Sequence, residues 1–345
     1  MAEIVRVLVI DDSAYVRKTV SLMLARSPFI EVVGTARDGA EGLELAAELR
    51  PDVITVDLNM PVMDGVAFIR AQMERRPVPI VVVSIAAESG EQALAALDAG
   101  AVDFVQKPTA LATEKLMDIS EEMVAKVKMA ARARARPLPL PAARPSVPVL
   151  PVTPARHGIR IVVLGISTGG PQGLKIVLPQ IPRECPVPIA MVLHMPVGYT
   201  KTYAEKLAEL CQVRVVEAAE GDAIVPGTAY LAPAGRHLTF RRRGTEVFAE
   251  LPLRPLDTPH RPAVDVLFQS ASEVYGGAVL GVVMTGMGSD GKAGAACIKA
   301  RGGCILAEAE ETCVVYGMPR SIIEAGLADA VVPLDRMAAA IMERI

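Results

Sequence analysis

The chain has 345 residues, of which 51% are hydrophobic and 22% are charged, and its formal net charge is −3. This length predicts two domains, and the composition excludes a chain that is disordered throughout. A near-neutral charge with six Phe, six Tyr and no Trp argues against nucleic-acid binding, which usually needs a basic surface and stacking rings.

Cysteine usage and hydropathy predict a soluble protein of the cytoplasm. The five cysteines are an odd number and include no C-x-x-C pair, so we expect free thiols in a reducing compartment. Charged residues such as Glu3 and Arg6 interrupt the N-terminal region, which therefore does not resemble a signal peptide. No uncharged apolar run reaches the roughly 18 residues of a membrane span.

The first 130 residues alternate short β-branched runs with segments of helical periodicity. The predicted strands are Val5–Ile10, Val32–Thr35, Val53–Val56, Ile80–Val83 and Ala101–Val105, and the predicted helices are Ser13–Arg26, Ala40–Glu48, Val66–Glu74, Gly90–Ala99 and Thr113–Ala131. Five such alternations predict an α/β domain over residues 1–130, with a doubly wound parallel sheet covered by helices on both faces.

A segment rich in proline and arginine, residues 131–157, separates the two halves of the chain. From Arg132 to Arg160 there are seven prolines, six arginines and no acidic residue. Repeated proline prevents helix and sheet from continuing, so a semi-extended linker is predicted. The positive charge leaves open a second interpretation, in which the segment docks to an acidic partner.

Residues 158–345 predict a second, mainly parallel α/β domain with a Rossmann-like doubly wound sheet. Near-continuous apolar strands are predicted at Ile159–Gly165, Pro188–Leu193 and Ala278–Met284, as expected for strands buried on both faces. His237–Glu250 differs and predicts an antiparallel hairpin around Arg243-Gly244, with Arg241–Arg243 in a solvated turn.

Polar side chains follow four strands of the first half. Asp11 and Asp12 come after the first strand and Asp57 after the third, while Ser84 and Lys107 follow the fourth and fifth. Ligands of doubly wound sheets gather at this edge, where adjacent carboxylates can bind Mg²⁺ and a carboxylate can attack phosphorus. The alternative is a set of unrelated acids that cap helices.

The motifs DD(11–12), DLNMPVMDG(57–65), VVVS(81–84) and FVQKP(104–108) resemble a response-regulator receiver domain. The resemblance implies that Asp57 accepts a phosphoryl group from a histidine kinase. It implies that Mg²⁺ is bound by Asp12, Asp57 and the Asn59 carbonyl, with Asp11 acting through water. It also implies a switch formed by Ser84 and Phe104, with Lys107 neutralising the phosphoryl group.

Three separate features of the second half suggest nucleophilic catalysis. Gly165-Ile166-Ser167-Thr168-Gly169-Gly170 fits a nucleophile elbow, or alternatively a glycine-rich phosphate turn without the lysine of a P-loop. His194 ends a buried strand, and Asp290 lies in the loop MTGMGSDG(284–291) after another. Singly, they could be a structural histidine and a plain turn. Together they predict a Ser-His-Asp triad, in an order foreign to α/β-hydrolases.

These motifs, with HMP(194–196), YLAP(230–233) and HRPAVDVLF(260–268), resemble the CheB-type catalytic domain of chemotaxis methylesterases. The resemblance implies the triad Ser167, His194 and Asp290, an oxyanion contact from the Met287 amide, and Thr168 in the site lining. It implies demethylation of glutamyl methyl esters and deamidation of glutamines on chemoreceptor helices, without a cofactor for the esterase.

The resemblance further implies a monomer in which the unphosphorylated receiver covers the catalytic edge. Two other functions remain open on the sequence. One is a serine esterase with another substrate under receiver control, and the other is a phosphorylation-controlled binding module without catalysis.

Overall fold

Two units of parallel sheet and helix make up the part of the chain that the structure describes. The structure, a computed structural model, describes residues 4–84, 90–107, 113–132 and 158–345. Contacts divide the chain into the units Met1–Leu140 and Pro141–Ile345. Most of the predicted linker, residues 133–157, lies outside the described residues. Its first two residues, 131 and 132, are instead the last residues of a helix.

The first unit alternates strand and helix as predicted. Its described elements are β1 (Val5–Ile10), α1 (Ala14–Leu24), β2 (Ile30–Ala36), α2 (Gly39–Leu49), β3 (Val53–Val56), α3 (Gly65–Arg75), β4 (Ile80–Ser84), α4 (Gly90–Asp98), β5 (Asp103–Gln106) and α5 (Thr113–Arg132). The strands pair in parallel in the order β2-β1-β3-β4-β5. Because the order reverses between β1 and β3, their carboxyl ends open a crevice for a ligand.

Side-chain caps explain where three of these helices begin. Ser13 accepts a hydrogen bond from the Val16 amide at the start of α1, and Asp64 accepts one from the Ala67 amide at the start of α3. Asp38 accepts two amide hydrogen bonds at the start of α2. Each cap satisfies amides that the helix leaves unpaired, and each terminates the loop after a strand.

The second unit is larger and has a central parallel sheet. Its elements are β6 (Ile161–Ile166), α6 (Gly170–Val177), β7 (Ile189–Leu193), α7 (Thr200–Leu210), β8 (Arg214–Glu217), β9 (Thr228–Leu231), β10 (Thr239–Arg243), β11 (Glu246–Glu250), α8 (Val264–Tyr275), β12 (Val279–Val283), α9 (Lys292–Ala300), β13 (Cys304–Glu308), α10 (Met318–Glu324), β14 (Ala330–Val332) and α11 (Met337–Met342). The parallel order is β14-β13-β12-β6-β7-β9-β8, and β10 and β11 form the separate antiparallel hairpin.

The hairpin confirms the predicted antiparallel pair but corrects its turn. The two strands pair from Thr239↔Glu250 to Arg243↔Glu246, so the turn is Gly244-Thr245. Arg241–Arg243 is therefore the exposed end of β10 and not a turn. Strands β8, β9, β13 and β14 were not predicted, because each is short and lacks a long β-branched run.

Strand β6 lies at the centre of the second sheet, and the chain crosses to opposite sides of it in β7 and β12. Its apolar residues Ile161 and Val163 pack with Val192 and Val283 in a fully buried core. The carboxyl ends of β6, β7 and β12 consequently meet at one edge, which is where this class of sheet binds ligands. No helix among the described residues is long and apolar enough to cross a membrane.

Candidate phosphorylation and hydrolase sites

The polar residues predicted in the first unit do meet at the crevice between β1 and β3. Asp11 and Asp57 are buried, at 2% and 4% exposure, whereas Asp12 is exposed. The Lys107 ammonium lies 2.8 Å from Asp11 Oδ2 and 2.7 Å from Asp57 Oδ2. Asn59 is exposed in the loop two residues after Asp57. One cation thus balances two buried carboxylates.

Burial and charge act against each other in this cluster. Burial raises the pKa of the Asp57 carboxyl above its ordinary value, and the nearby Asp11 adds to this rise, although Lys107 opposes it. Burial alone would lower the pKa of Lys107, but hydrogen bonds and attraction from the two carboxylates outweigh it and raise that pKa. The ion pairs therefore keep Lys107 charged between the acids.

The acidic cluster fits a divalent cation. One carboxylate oxygen from each of Asp11, Asp12 and Asp57 lies within 4.8 Å of the others. Asp11 Oδ2 is buried, and the Lys107 ammonium lies 2.8 Å from it. Three carboxylates whose oxygens meet at one point are a donor set suited to Mg²⁺.

The predicted switch residues lie on neighbouring strands and are both buried. Ser84 ends β4 and Phe104 lies in β5, and the Lys107 amide donates to the Ser84 carbonyl at 2.8 Å. Lys126 of α5, which the sequence did not single out, donates to the Phe104 carbonyl at 2.7 Å. Its ammonium also lies 5.6 Å from the centre of the Phe104 ring, so α5 is tied directly to this aromatic residue.

In the second unit, Ser167 occupies a tight turn between β6 and α6. Its amide donates to the Thr285 carbonyl at 2.9 Å, and its carbonyl accepts from the Gly170 amide at 2.7 Å. Gly169 has φ +80°, and a Cβ there would lie 2.6 Å from Val314. Only glycine satisfies both the backbone conformation and the space, which is how the sequence makes this turn.

His194 and Asp290 form a hydrogen-bonded pair next to this turn. In the parallel pairing of β6 with β7, Ile166 is opposite Leu193, so Ser167 and His194 are the next residues on the two strands. His194 Nε2 lies 2.9 Å from Asp290 Oδ2. A carboxylate can only accept, so the imidazole nitrogen Nε2 donates, and the neutral ring then has Nδ1 as its basic nitrogen.

Two backbone amides fix the Asp290 carboxylate. The amides of Val264 and Asp265 donate to its two oxygens at 2.8 and 2.9 Å. Burial would raise the pKa of Asp290, but the hydrogen bonds from His194 and these amides outweigh it and lower that pKa. His194 Nδ1 is buried and has no hydrogen-bond partner. The pair therefore presents an ionised carboxylate at one nitrogen and an unsatisfied acceptor at the other.

The loop after β12 runs against the serine. A Cβ on Gly286 would lie 2.7 Å from Ser167 Cβ, so a larger residue would displace the turn. Met287 follows this glycine and is half-buried. The buried Thr168 accepts a hydrogen bond through its carbonyl from the Thr285 hydroxyl at 3.0 Å. These contacts place the loop that contains the Met287 amide next to the nucleophile position.

Two further residues touch this site, and sequence reasoning assigned neither a role. The His260 ring stacks on His194 with 4.1 Å between ring centres. Glu308 is fully buried and accepts from the Thr285 amide at 2.8 Å. His260 is the first residue of the motif HRPAVDVLF(260–268), but only the path of its loop brings its ring over His194. Glu308 ends a strand that was not predicted.

The folds and sites define a class of protein in which a receiver-type unit precedes a unit with a serine-hydrolase arrangement. A family model described as response regulator receiver domain matches residues 7–119. A family model described as CheB methylesterase matches residues 162–341, more than half of the chain. The chain belongs to the CheB methylesterase family.

Relatives cover both units. The chain is 48% identical over 343 residues to "Protein-glutamate methylesterase/protein-glutamine glutaminase 5" of Myxococcus xanthus, covering 99% of this chain and 98% of the relative. A Geobacillus kaustophilus protein of the corresponding name is 45% identical, with 99% of each chain covered. The Thermotoga maritima CheB methylesterase catalytic domain is 41% identical in sequence, with a TM-score of 0.53, and it covers 55% of this chain and 100% of that chain.

Proposed function

We propose that this protein is a phosphorylation-controlled serine hydrolase that demethylates glutamyl methyl esters and deamidates glutamines on the cytoplasmic helices of chemoreceptors. Full-length similarity to enzymes named for these two activities supports the substrate class. The observation that carries the mechanism is the His194–Asp290 hydrogen bond at the strand end beside Ser167. A substrate on cytoplasmic helices would be met in the cytoplasm.

In the first half of the reaction Ser167 Oγ attacks the ester carbonyl carbon. Its proton passes to His194 Nδ1, the buried nitrogen without a partner, while Asp290 stabilises the resulting imidazolium through Nε2. The C–O bond to the methoxy group then breaks, and His194 returns the proton so that methanol leaves. With a glutamine substrate the C–N bond breaks and ammonia leaves instead.

In the second half water attacks the acyl-enzyme and gives its proton to His194. The bond to Ser167 breaks, the serine regains the proton, and free glutamate remains on the receptor. Each tetrahedral intermediate has a negative oxygen. The amide of Met287 is our candidate donor to this oxygen, because its loop contacts Ser167 through Gly286. Thr168 lines the same turn.

The receiver unit would control this reaction through Asp57. We propose that a histidine kinase transfers its phosphoryl group to an Asp57 oxygen, with Lys107 neutralising part of the added charge. Asp11, Asp12, Asp57 and the Asn59 carbonyl would bind Mg²⁺, which neutralises the phosphoryl oxygens when it is bound. Ser84 and Phe104 would respond to the phosphoryl group, and activity would rise.

The hydrolase half is tested by methanol release from methylated chemoreceptor. Wild type is expected to release methanol, and Ser167→Ala is expected to lose activity by at least about 10⁴-fold in kcat. An organophosphonate should label Ser167 in wild type only. Small-ester turnover without receptor turnover would favour a different serine esterase, and an unlabelled serine would favour a binding module.

The control half is tested by the same assay with a small-molecule phosphodonor and Mg²⁺. Wild type is expected to accelerate, whereas Asp57→Asn should stay at the unstimulated rate because amide nitrogen is not a phosphoryl acceptor. Asp52→Asn is a matched control, since Asp52 is an exposed acid of the same unit whose side chain accepts the Arg6 amide. Full stimulation of Asp57→Asn would place the acceptor elsewhere.

A further inference from the structure

A buried carboxyl group that the proposed reaction does not use lies beneath the nucleophile turn. Glu308 ends β13 and is 0% exposed. Its Oε2 accepts from the Thr285 amide at 2.8 Å, and its Oε1 accepts from the Thr312 hydroxyl at 3.0 Å. Burying a charge is costly unless the charge is paired and hydrogen-bonded, so this group calls for an explanation.

Thr285 connects Glu308 to the serine. The Thr285 amide donates to Glu308, and the Thr285 carbonyl accepts from the Ser167 amide at 2.9 Å. The Thr285 hydroxyl donates to the Thr168 carbonyl at 3.0 Å. One residue therefore links the carboxyl group to the backbone on both sides of the Ser167–Thr168 peptide bond.

The partners of Glu308 suit both of its protonation states. The Thr312 hydroxyl lies 3.0 Å from Glu308 Oε1 and 3.2 Å from the Ala309 carbonyl, and it accepts from the Leu334 amide at 3.1 Å. The hydroxyl can donate to a Glu308 carboxylate, or turn to Ala309 and accept from a protonated Glu308. Burial raises the pKa of Glu308 to about 7.

We propose that Glu308 is a positioning residue for the acylation step, acting through Thr285 to fix the Ser167 turn, and that its ionised form does this best. The inference rests on the proposed hydrolase function. A carboxylate forms a stronger hydrogen bond with the Thr285 amide than a neutral acid does. Ionisation of Glu308 therefore tightens the turn that presents Ser167 Oγ to the substrate.

Among the described residues, the titratable group that affects Glu308 lies on the same segment of the chain. Cys313 interacts with the Glu308 carboxyl group, and burial followed by repulsion from Glu308, Glu310 and Glu311 raises the pKa of this thiol far above neutrality. Strand β12 is a neighbour of β13, and the loop that follows β12 contributes the uncharged Thr285. Cys313 therefore stays neutral across the pH range in which Glu308 ionises.

The test uses the full chain with three variants. Glu308→Ala removes both acceptors, whereas Glu308→Gln keeps an acceptor oxygen for Thr285 but cannot ionise. Asp329→Asn is the matched control. Asp329 accepts the amide of Ile305, which lies at the opposite end of β13 from Glu308. Steady-state methanol release is divided by the concentration of phosphonate-reactive Ser167, so that misfolded protein does not count.

We expect Glu308→Ala to lower kcat per reactive site at least tenfold with KM changed less than about threefold. At a pH of about 7, kcat of Glu308→Gln should stay within about threefold of the wild-type value. The kcat of Asp329→Asn should match that of wild type. The ratio of wild-type to Glu308→Gln kcat should rise with pH, with a midpoint at about 7. The ratio cancels every effect of pH that both proteins share.

A wild-type kcat per reactive site in Glu308→Ala would overturn the proposal, as would a ratio that stays constant with pH. A wild type that does not hydrolyse methylated receptor contradicts the proposed function instead. In that case the rate of Ser167 phosphonylation still tests Glu308, with the same order of variants expected. Equal phosphonylation rates in all four proteins would then reject the positioning role.

Discussion

The two units use the same edge of the same kind of sheet but build opposite kinds of site. In each, polar residues follow strands where the strand order reverses, between β1 and β3 in one and around β6 in the other. The first site concentrates charge, since three acids lie together and two of them, Asp11 and Asp57, contact Lys107. The second is built on the pair of His194 and Asp290, and the other hydrogen bonds to the Asp290 carboxylate come from backbone amides.

This difference follows from the chemistry each site is proposed to perform. A phosphoryl group and a metal ion are charged before the reaction begins, so charged side chains can bind them in the ground state. An ester is neutral until its tetrahedral intermediate forms, so fixed donors at the right positions matter more than net charge. The first site should therefore respond mainly to altered charge, and the second to altered hydrogen-bond geometry.

The largest effect should come from Asp290→Asn, which keeps the size of the side chain but replaces one acceptor oxygen with a donating NH₂ group. Asp290 accepts from His194 and from the amides of Val264 and Asp265. An amide NH₂ must face some of these donors: at the Oδ2 position it forces the imidazole into the wrong tautomer, and at the Oδ1 position it opposes the Asp265 amide and displaces the side chain that orients His194. By analogy with serine proteases, kcat for methanol release should fall by about 10⁴-fold.

Asp222→Asn is the control for this variant, because Asp222 also accepts a backbone amide, that of Ala219, in an exposed loop of the same unit. Its kcat should match that of wild type. A fall of less than about tenfold in Asp290→Asn would mean that neither the charge of Asp290 nor the direction of its hydrogen bonds is needed to orient His194.

The sequence predicted the strands that carry the two sites because those strands are buried on both faces. The predicted bounds of β1 and β3 agree with the structure, and the residues after β6, β7 and β12 were identified from apolar runs that end in a polar residue. Whether Ser167, His194 and Asp290 perform catalysis remains a prediction. Their approach at one sheet edge required only the parallel order of three strands.

The supporting residues could not be predicted in this way. Glu308 ends a five-residue strand, and its contact with Thr285 depends on the pairing of β12 with β13. His260 reaches His194 through an irregular loop that has no periodic pattern. Lys126 lies on a predicted helix, but its place over Phe104 depends on how α5 packs. Such contacts come from tertiary structure alone.

Removing the cation of the first site tests the other side of the comparison. Lys107→Met leaves two buried carboxylates without their shared counter-ion, and breaking a buried ion pair typically costs about 3–5 kcal/mol. We expect the first unit to lose stability of this order, and added Mg²⁺ to restore part of it by binding the folded acids. Hydrogen exchange followed by mass spectrometry reports the first unit separately.

Lys18→Met is the matched control, since Lys18 is an exposed lysine on α1 of the same unit. The free energy of unfolding that hydrogen exchange reports for the first unit should stay within about 0.5 kcal/mol of wild type, with or without Mg²⁺. If Lys107→Met protected its amides as well as Lys18→Met does, the buried charge of this site would not govern its stability, and the contrast between the two sites would fail.

The smallest effect concerns the buried carboxyl group of the second site. The pKa of Glu308 is raised from 4.5 to about 7 in the folded protein. Below pH 4.5 both folded and unfolded states are protonated there. As pH rises from 4.5 to 7, the unfolded chain releases this proton first, so this group lowers the free energy of unfolding by about 3 kcal/mol in total.

Glu308→Gln lacks this titration, so its stability relative to wild type should rise through the same pH window and level off above 7. Urea unfolding followed by tyrosine fluorescence measures it, because five of the six tyrosines lie in the second unit (Tyr199, Tyr203, Tyr230, Tyr275 and Tyr316). Ser167→Ala changes no carboxyl group and should differ from wild type by a constant amount. A constant difference for Glu308→Gln as well would mean that Glu308 ionises as freely in the folded chain as in the unfolded one, and the second site would then contain no buried charge that the protein must accommodate.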